Sequence, residues 1–192
     1  MAGVLTILIF SDSYSANCAL GADTGWLQKG VRVWYFGGIQ ESHDGSVSNV
    51  EEAYLIDGVA GDQVNITHHS ALEYWSAPRP VATETYPRLD KGPCWINPQV
   101  LQNLQMGDTW MGNEITLVTH PTYTYNSFPY HLLPAWALFK LTPQRSLVKI
   151  SYMIPDFSIG SAYFDAETGL LLYYNVLWDS YKMFFILSEF TV

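Results

Sequence analysis

One stretch near the end of the sequence decides the fold: YFDAETGLLLYYNVLWDSYKMFFILSEF, residues 163–190. It is rich in aromatic and aliphatic residues, and two turn signals interrupt it. The segment DAETG predicts a five-residue hairpin loop in which Gly169 can adopt a left-handed conformation. The segment LWDS predicts a second turn. We therefore expect three successive strands, over 158–164, 170–176 and 181–190.

The last two of these strands are apolar on both faces. Successive side chains of a strand point to opposite faces, so Leu172 and Tyr174 share one face while Leu171 and Tyr173 share the other. A half-buried sheet needs only one apolar face, and exposing both would leave a large apolar patch. Four kinds of structure could cover these apolar faces: a second sheet packed together with a helix, the long loops, a partner chain, or a ligand held by a curved sheet.

The rest of the chain repeats this pattern of short strands separated by turn signals, with eight to eleven strands in all. The segment INPQVLQNLQMGD is the exception, because Asn97 can cap a helix, Pro98 suits its first position and Gly107 can follow its end. The sequence therefore predicts a mainly β fold: an antiparallel meander sheet curled into a barrel, half-barrel or sandwich, with one short helix near 97–106.

The length of 192 residues fits one domain. We expect a single all-β domain over 1–192, because no shift in composition marks a boundary. Long loops are predicted over 11–25, 76–95 and 120–134. The second of these carries four of the ten prolines, and loops of this length in a compact domain are often functional.

The N-terminal apolar run, 5–10, is interpreted as a strand rather than as part of a signal peptide, because no basic residue precedes Lys29. No stretch approaches the roughly 20 apolar residues of a transmembrane helix, so we expect no transmembrane segment. The sequence leaves the compartment open, with a secreted or periplasmic location favoured over the cytoplasm.

The charge balance limits the classes of binding partner that the chain can have. Nine basic and 18 acidic residues give a formal net charge of −9. Nucleic-acid binding needs a basic surface, which this composition excludes, and anionic membrane surfaces are disfavoured for the same reason. A small apolar molecule or a glycan remains as a ligand, and a homo-oligomer remains as an assembly.

The histidines do not form a metal site in the sequence. His68 and His69 are adjacent, so on a strand they point to opposite faces and cannot share one metal ion. His68 shares the face of Val64 and Ile66, and we expect it to point inward as a core histidine with satisfied hydrogen bonds. No metal ligand and no cofactor are predicted.

No catalytic motif is present either. The segment FSIGSAYF lacks the closing glycine of a nucleophile elbow. Cys94 would need a nearby histidine to act as a nucleophile, and it is interpreted as a buried thiol or as the disulfide partner of Cys18. We predict no catalytic residue and favour a protein that is not an enzyme.

Aromatic residues make up 15% of the chain, and tyrosine and tryptophan suit binding surfaces because they combine a large apolar area with one polar group. We predict a binding protein that holds an apolar, aromatic or carbohydrate-like ligand in a concave β-sheet surface. The alternatives are an interaction subunit whose two-faced strands are covered by a partner chain, and a hydrolase with a loop-lined cleft. The predicted ligand-binding residues are Trp75, Tyr86, Tyr123, Tyr125, Tyr130 and Trp178.

Overall fold

The computed structural model describes residues 24–41, 45–71, 79–119, 146–154, 158–178 and 181–191. These residues form one antiparallel sheet of ten strands and one short helix. The strands are β1 (Arg32–Glu41), β2 (Val47–Ala60), β3 (Gln63–Ala71), β4 (Arg79–Pro87), β5 (Thr109–Trp110), β6 (Asn113–Thr119), β7 (Leu147–Ile154), β8 (Ser158–Asp165), β9 (Leu171–Leu177) and β10 (Tyr181–Thr191); the helix is α1 (Pro98–Asn103).

The sheet consists of two meanders joined along their first and last strands. Its order is β4-β3-β2-β1-β10-β9-β8-β7-β6-β5, so all pairs except β1 with β10 are neighbours in sequence. This confirms the predicted antiparallel meander sheet. The sheet does not close into a barrel, since β4 and β5 remain as its two ends. β4 begins and ends near prolines that cannot donate to a ladder, and β5 has only two residues.

The stretch 163–190 forms the predicted strand–turn–strand–turn–strand unit. The turn after β8 is held by Asp165, whose side chain accepts hydrogen bonds from the hydroxyl of Thr168 at 2.5 Å and from the backbone of Glu167 at 3.3 Å. Gly169 has a φ of +70°, and a Cβ at this position would overlap the carbonyl oxygen of Ile96. Glycine is therefore required there both for the turn and for close packing.

The inner face of the sheet, which carries Val33, Tyr35 and Phe185, is covered by the connecting segment between β4 and β5. This segment (88–108) includes α1 and packs against the turn after β8 through hydrogen bonds from Ile96 to Gly169 and from Leu171 to Cys94. Its fully buried apolar side chains are Trp95, Ile96 and Leu101. Within the part of the chain that the structure describes, the cover of the inner face is thus a loop with one helix and not a second sheet.

The helix begins where the sequence predicts. The side chain of Asn97 accepts a hydrogen bond from the backbone of Gln99 at 3.0 Å, and Pro98 occupies the first turn. It ends at Asn103, before Gly107. Six residues are far too few to span a bilayer, and among the described residues no helix is long and apolar enough to do so.

The sheet is strongly curled around its inner face. The hydroxyl of Tyr174 on β9 donates a hydrogen bond of 2.7 Å to Glu52 on β2, although β1 and β10 lie between these strands. Neighbouring strands are about 4.8 Å apart, so three such spacings in a flat sheet would keep the two backbones roughly 14 Å apart. The hydroxyl of Tyr35 also donates to the carbonyl of Leu171 at 2.8 Å, which holds the same curvature.

The outer face is also apolar along the C-terminal meander, as the sequence predicts. Tyr173 and Ile186 point outward and are buried. Towards one end of the strands, Met153, Ile159 and Leu177 are cross-strand neighbours on β7, β8 and β9. They are 44, 55 and 49% exposed, and they form a row of exposed apolar side chains that we call the outer row.

One predicted loop contains a strand. A loop is expected over 76–95 because of its prolines, but residues Arg79–Pro87 form β4. Proline is tolerated there because β4 lies at the edge of the sheet, where β3 is its one neighbour among the described strands. The predicted loop over 120–134 and the predicted strand over 5–10 lie outside the described residues.

Candidate functional site

A small cavity lies where the curled sheet fails to close. It has a volume of about 100 Å³ and opens between the inner face of β2–β4 and the turn that joins β5 to β6. We call it the seam cavity. Its lining residues are Tyr54, Ile66, His68, Ala82, Glu84, Tyr86, Pro93 and Met111.

Strand register explains why these residues meet. His68 on β3 pairs with Tyr54 on one side and with Ala82 on the other. Ile66, two residues earlier on β3, pairs with Glu84 on β4. Because side chains alternate between faces, residues two apart along each strand point to the same face. Three neighbouring strands therefore present one continuous wall to the cavity.

Tyrosine hydroxyls on this face are paired with carboxylates. Glu52 accepts hydrogen bonds from Tyr54 at 3.1 Å and from Tyr174 at 2.7 Å. Tyr86 donates a hydrogen bond to Glu84. Burial raises the pKa of Tyr54 and Tyr174 well above 10.0, and the negative charge of Glu52 raises both further. These phenols therefore stay neutral at physiological pH and act as hydrogen-bond donors.

His68 stacks on Tyr54, with ring centroids 4.8 Å apart and an angle of 14° between the planes. Its Nε2 atom lies 3.9 Å from an oxygen of Glu52, which is too far for a hydrogen bond. This atom is buried and has no hydrogen-bond partner. The predicted inward direction is confirmed, but the prediction of a satisfied core histidine is wrong, because His68 stands at the cavity, where packing leaves Nε2 unpaired.

Met111 completes the wall from the opposite side of the gap. It occupies the two-residue turn between β5 and β6 with a φ of +50°, followed by Gly112 at +75°. Glycine, asparagine and aspartate are the usual residues in such a turn. A left-handed conformation costs a residue with a Cβ about 1 kcal/mol or more. An observed outlier of this kind suggests a function, and here the side chain reaches the cavity.

The sequence-predicted binding residues fall into three groups. Tyr86 lines the seam cavity. Trp178 follows β9 and stacks on Tyr181 with ring centroids 4.5 Å apart, and it is not part of this cavity. The remaining four lie outside the described residues: Trp75, Tyr123, Tyr125 and Tyr130. Their role stays a prediction.

Sequence motifs do not single out Tyr54, Glu84 or Met111. The alternation of β2 and β4 could have placed the first two on an inner face. Met111 carried a weaker signal, the dipeptide Met-Gly between two short strand patterns. Its approach to β3 and β4 depends on the curvature of the whole sheet, which no local pattern indicates.

Two other features contribute less to the chemistry. Cys94 is a free, fully buried thiol, and burial raises its pKa, so it is protonated at neutral pH and a poor nucleophile.

A wide, shallow depression beside α1 is lined by Lys91, Gln99 and Val100, among others. Among the side chains that the structure describes, no group of three or more His, Cys, Asp or Glu could hold a metal ion.

Comparison with known proteins gives no further guide. No protein-family model matches the sequence, and no curated protein is significantly similar to it.

Proposed function

We propose that this chain is a non-enzymatic binding protein that holds a small ligand with an apolar or aromatic part in the seam cavity. The observation that carries the proposal is the composition of the cavity wall: the rings of Tyr54 and Tyr86, aliphatic side chains, and a few convergent polar groups. Binding sites for small molecules have this combination of apolar walls and few polar groups.

The size of the cavity limits the ligand. Sites for drug-sized molecules have volumes of about 300–1,000 Å³, whereas the seam cavity has about 100 Å³. An engineered cavity of about 150 Å³ in another protein binds benzene. The seam cavity therefore suits one small ring, or the end group of a longer ligand that extends into solvent.

Binding is favoured over hydrolysis by the state of the polar groups. Burial raises the pKa of Tyr54 and Tyr86, with the neighbouring carboxylates adding to it, so these phenols do not ionise near neutral pH and are poor general bases. Nε2 of His68 lies beyond hydrogen-bond distance of Glu52. The buried thiol of Cys94 offers no nucleophile. These groups can orient a ligand more readily than they can transfer its protons.

Methyl NMR tests the proposal directly. The chain has five methionines, so a protein labelled with ¹³C in its methionine methyl groups gives a simple spectrum. Titration with phenol or cyclohexanol is expected to shift the Met111 signal and to leave the Met153 signal in the outer row unchanged. Equal shifts at both residues, or none at either, contradict the proposal.

A pair of variants provides a matched control. Ala82→Leu fills the cavity and is expected to abolish the shift of Met111, because the added methyl groups take the space of the ligand. Thr83→Leu introduces a leucine at the next residue of β4, which points to the other face, and is expected to leave binding intact. Intact binding in Ala82→Leu places the ligand elsewhere.

The outer row supports a second candidate function, an interaction subunit that pairs with another copy of itself. Met153, Ile159 and Leu177 present contiguous apolar area that a partner could cover. Sedimentation across a range of concentrations is expected to show a dimer that Ile159→Lys dissociates. A monomer at all concentrations contradicts this candidate.

A further inference from the structure

We infer that the ligand of the seam cavity is a small organic cation, namely a protonated amine attached to an apolar or aromatic group. This inference rests on the proposed function, because it names the ligand class of the same cavity. It comes from the way in which charge is distributed between the two faces of the sheet.

The strand lysines and arginines whose side chains the structure describes lie on the outer face of the sheet. Among the lysines and arginines whose side chains the structure describes within strands, each lies over an aromatic ring of that face. The guanidinium of Arg32 is 3.9 Å from the ring centroid of Trp34. The ammonium of Lys149 is 5.6 Å from that of Tyr163, and the ammonium of Lys182 is 5.9 Å from that of Phe184.

The inner face has the complementary arrangement. Glu52 and Glu84 both point to this face, and each accepts a hydrogen bond from a tyrosine. Within the described residues, the nearest basic group to Glu52 is the imidazole of His68, at 3.9 Å. The described lining of the seam cavity includes Glu84 and no lysine or arginine. Among the described strand side chains, the inner face therefore has rings and negative charges, without the lysine or arginine that accompanies the rings on the outer face.

A protonated amine can interact with the carboxylate, the aromatic rings and the imidazole that line the cavity. Its N–H groups can donate to the free lone pairs of Glu84, which the single bond from Tyr86 does not use up. Its charge can be attracted by the aromatic rings of Tyr54 and Tyr86, which line the cavity. The unpaired Nε2 of His68 can accept a further hydrogen bond when it is unprotonated. Its apolar part can contact Ile66 and Met111.

The alternatives fit the charges less well. An anionic ligand would approach two carboxylates, at a cost that no described lysine or arginine of the cavity offsets. A neutral ligand would fill the apolar volume but would not form an ion pair with Glu84. The net charge of −9 also attracts cations and repels anions from a distance.

Benzylamine, benzyl alcohol and benzoate test the inference, because they share one ring and differ in charge at neutral pH. Binding is measured by calorimetry, and the Met111 methyl signal locates it. We expect benzylamine to bind about tenfold more tightly than benzyl alcohol, from one exposed charge interaction and one cation–π interaction. Benzoate is expected to bind more weakly than both.

Glu84→Gln should reduce the preference for the amine to about threefold, because the variant loses the charge interaction and keeps the cation–π interaction. Glutamine keeps an oxygen that accepts from Tyr86, so the fold is retained. The control is Glu51→Gln, which removes one carboxylate charge from the outer face of the sheet, on β2. This variant is expected to keep the tenfold preference. The Met153 signal and the melting temperature verify that both variants are folded.

The outcomes separate the inference from the proposed function. If benzyl alcohol or benzoate shifts Met111 with an affinity equal to or above that of benzylamine, the cavity binds ligands but the cation inference is wrong. A full tenfold amine preference in Glu84→Gln also overturns it. If none of the three probes shifts Met111, the proposed function fails together with the inference.

Discussion

The two faces of the sheet use aromatic residues in opposite ways. On the outer face, the rings of Trp34, Tyr163 and Phe184 are accompanied by lysine or arginine side chains. On the inner face, tyrosine hydroxyls donate to Glu52 and Glu84. The outer rings thus have cationic partners within the chain, whereas no described strand side chain of the inner face is a lysine or arginine that matches its negative charge. A sheet that is apolar on both faces can therefore have one face for packing and solvation and another for recognition.

Adjacent phenylalanines on β10 give the largest expected difference between the faces. Phe185 is fully buried on the inner face and stacks on Tyr174 at 4.8 Å, so Phe185→Ala is expected to lower the free energy of unfolding by about 3–5 kcal/mol. Phe184 is half-buried on the outer face, and Phe184→Ala is expected to lower it by about 1 kcal/mol. Urea denaturation measures both, and equal losses would break the distinction between the faces.

The two neighbouring glutamates on β2 provide the next comparison. Glu52→Ala leaves the hydroxyls of Tyr54 and Tyr174 without their acceptor, and we expect it to destabilise the protein by about 2 kcal/mol. Glu51→Ala alters the outer face and is expected to change stability by less than about 0.5 kcal/mol. The same urea denaturation compares the two variants. A Glu52→Ala protein as stable as the Glu51→Ala protein contradicts a structural role for the carboxylate.

Alkaline pH tests the burial of the inner tyrosines. Burial raises the pKa of Tyr35, Tyr54 and Tyr174 above the ordinary value of 10.0. Their contribution to stability is therefore fully present below pH 10 and is lost as the pH rises towards their folded-state pKa. Each is expected to lower the free energy of unfolding by about 1.4 kcal/mol per pH unit above 10.

Unfolding in urea at several pH values, with tyrosinate absorbance followed in parallel, measures this loss. Tyr174→Phe is expected to reduce the slope by one proton. Stability that stays constant to pH 11 would show that these tyrosines ionise in the folded protein, and the inner face would then be as accessible to solvent as the outer one.

Met111 gives the smallest expected change in stability and the sharpest test of the cavity. Asparagine tolerates the left-handed conformation that Met111 adopts, so Met111→Asn is expected to stabilise the protein by up to about 1 kcal/mol. The same variant is expected to weaken benzylamine binding, measured by calorimetry. Met106→Asn alters an exposed methionine outside the cavity and is expected to change neither quantity. Unchanged affinity in Met111→Asn removes this residue from the site.

Local chemistry made much of the fold predictable. Turn chemistry identified Gly169, and capping chemistry identified Asn97 and Pro98. The period of two placed His68 on the face of Val64 and Ile66. The prolines around β4 misled the prediction, because a proline-rich segment that fails as a central strand is acceptable at an edge, and only the strand order shows which strands are edges.

The candidate site was less predictable for a related reason. Tyr86 was selected as an aromatic residue of a loop, and it reaches the cavity from a strand. The bond between Glu52 and Tyr174 joins residues 122 positions apart, and the approach of Met111 to His68 crosses the open gap of the sheet. Contacts of this kind depend on strand order and curvature, which result from the packing of the whole chain.

The sequence by itself determined most of the described strands and turns, the short helix, the two apolar faces of the C-terminal meander and the acidic charge. These follow from interactions between residues close in the chain, which alternation and turn preferences record. Only the tertiary structure decided that β1 pairs with β10, that the sheet stays open, that the segment 88–108 covers the inner face, and that a cavity remains at the gap. These features depend on which distant surfaces fit together, and side-chain packing across the curled sheet sets that fit.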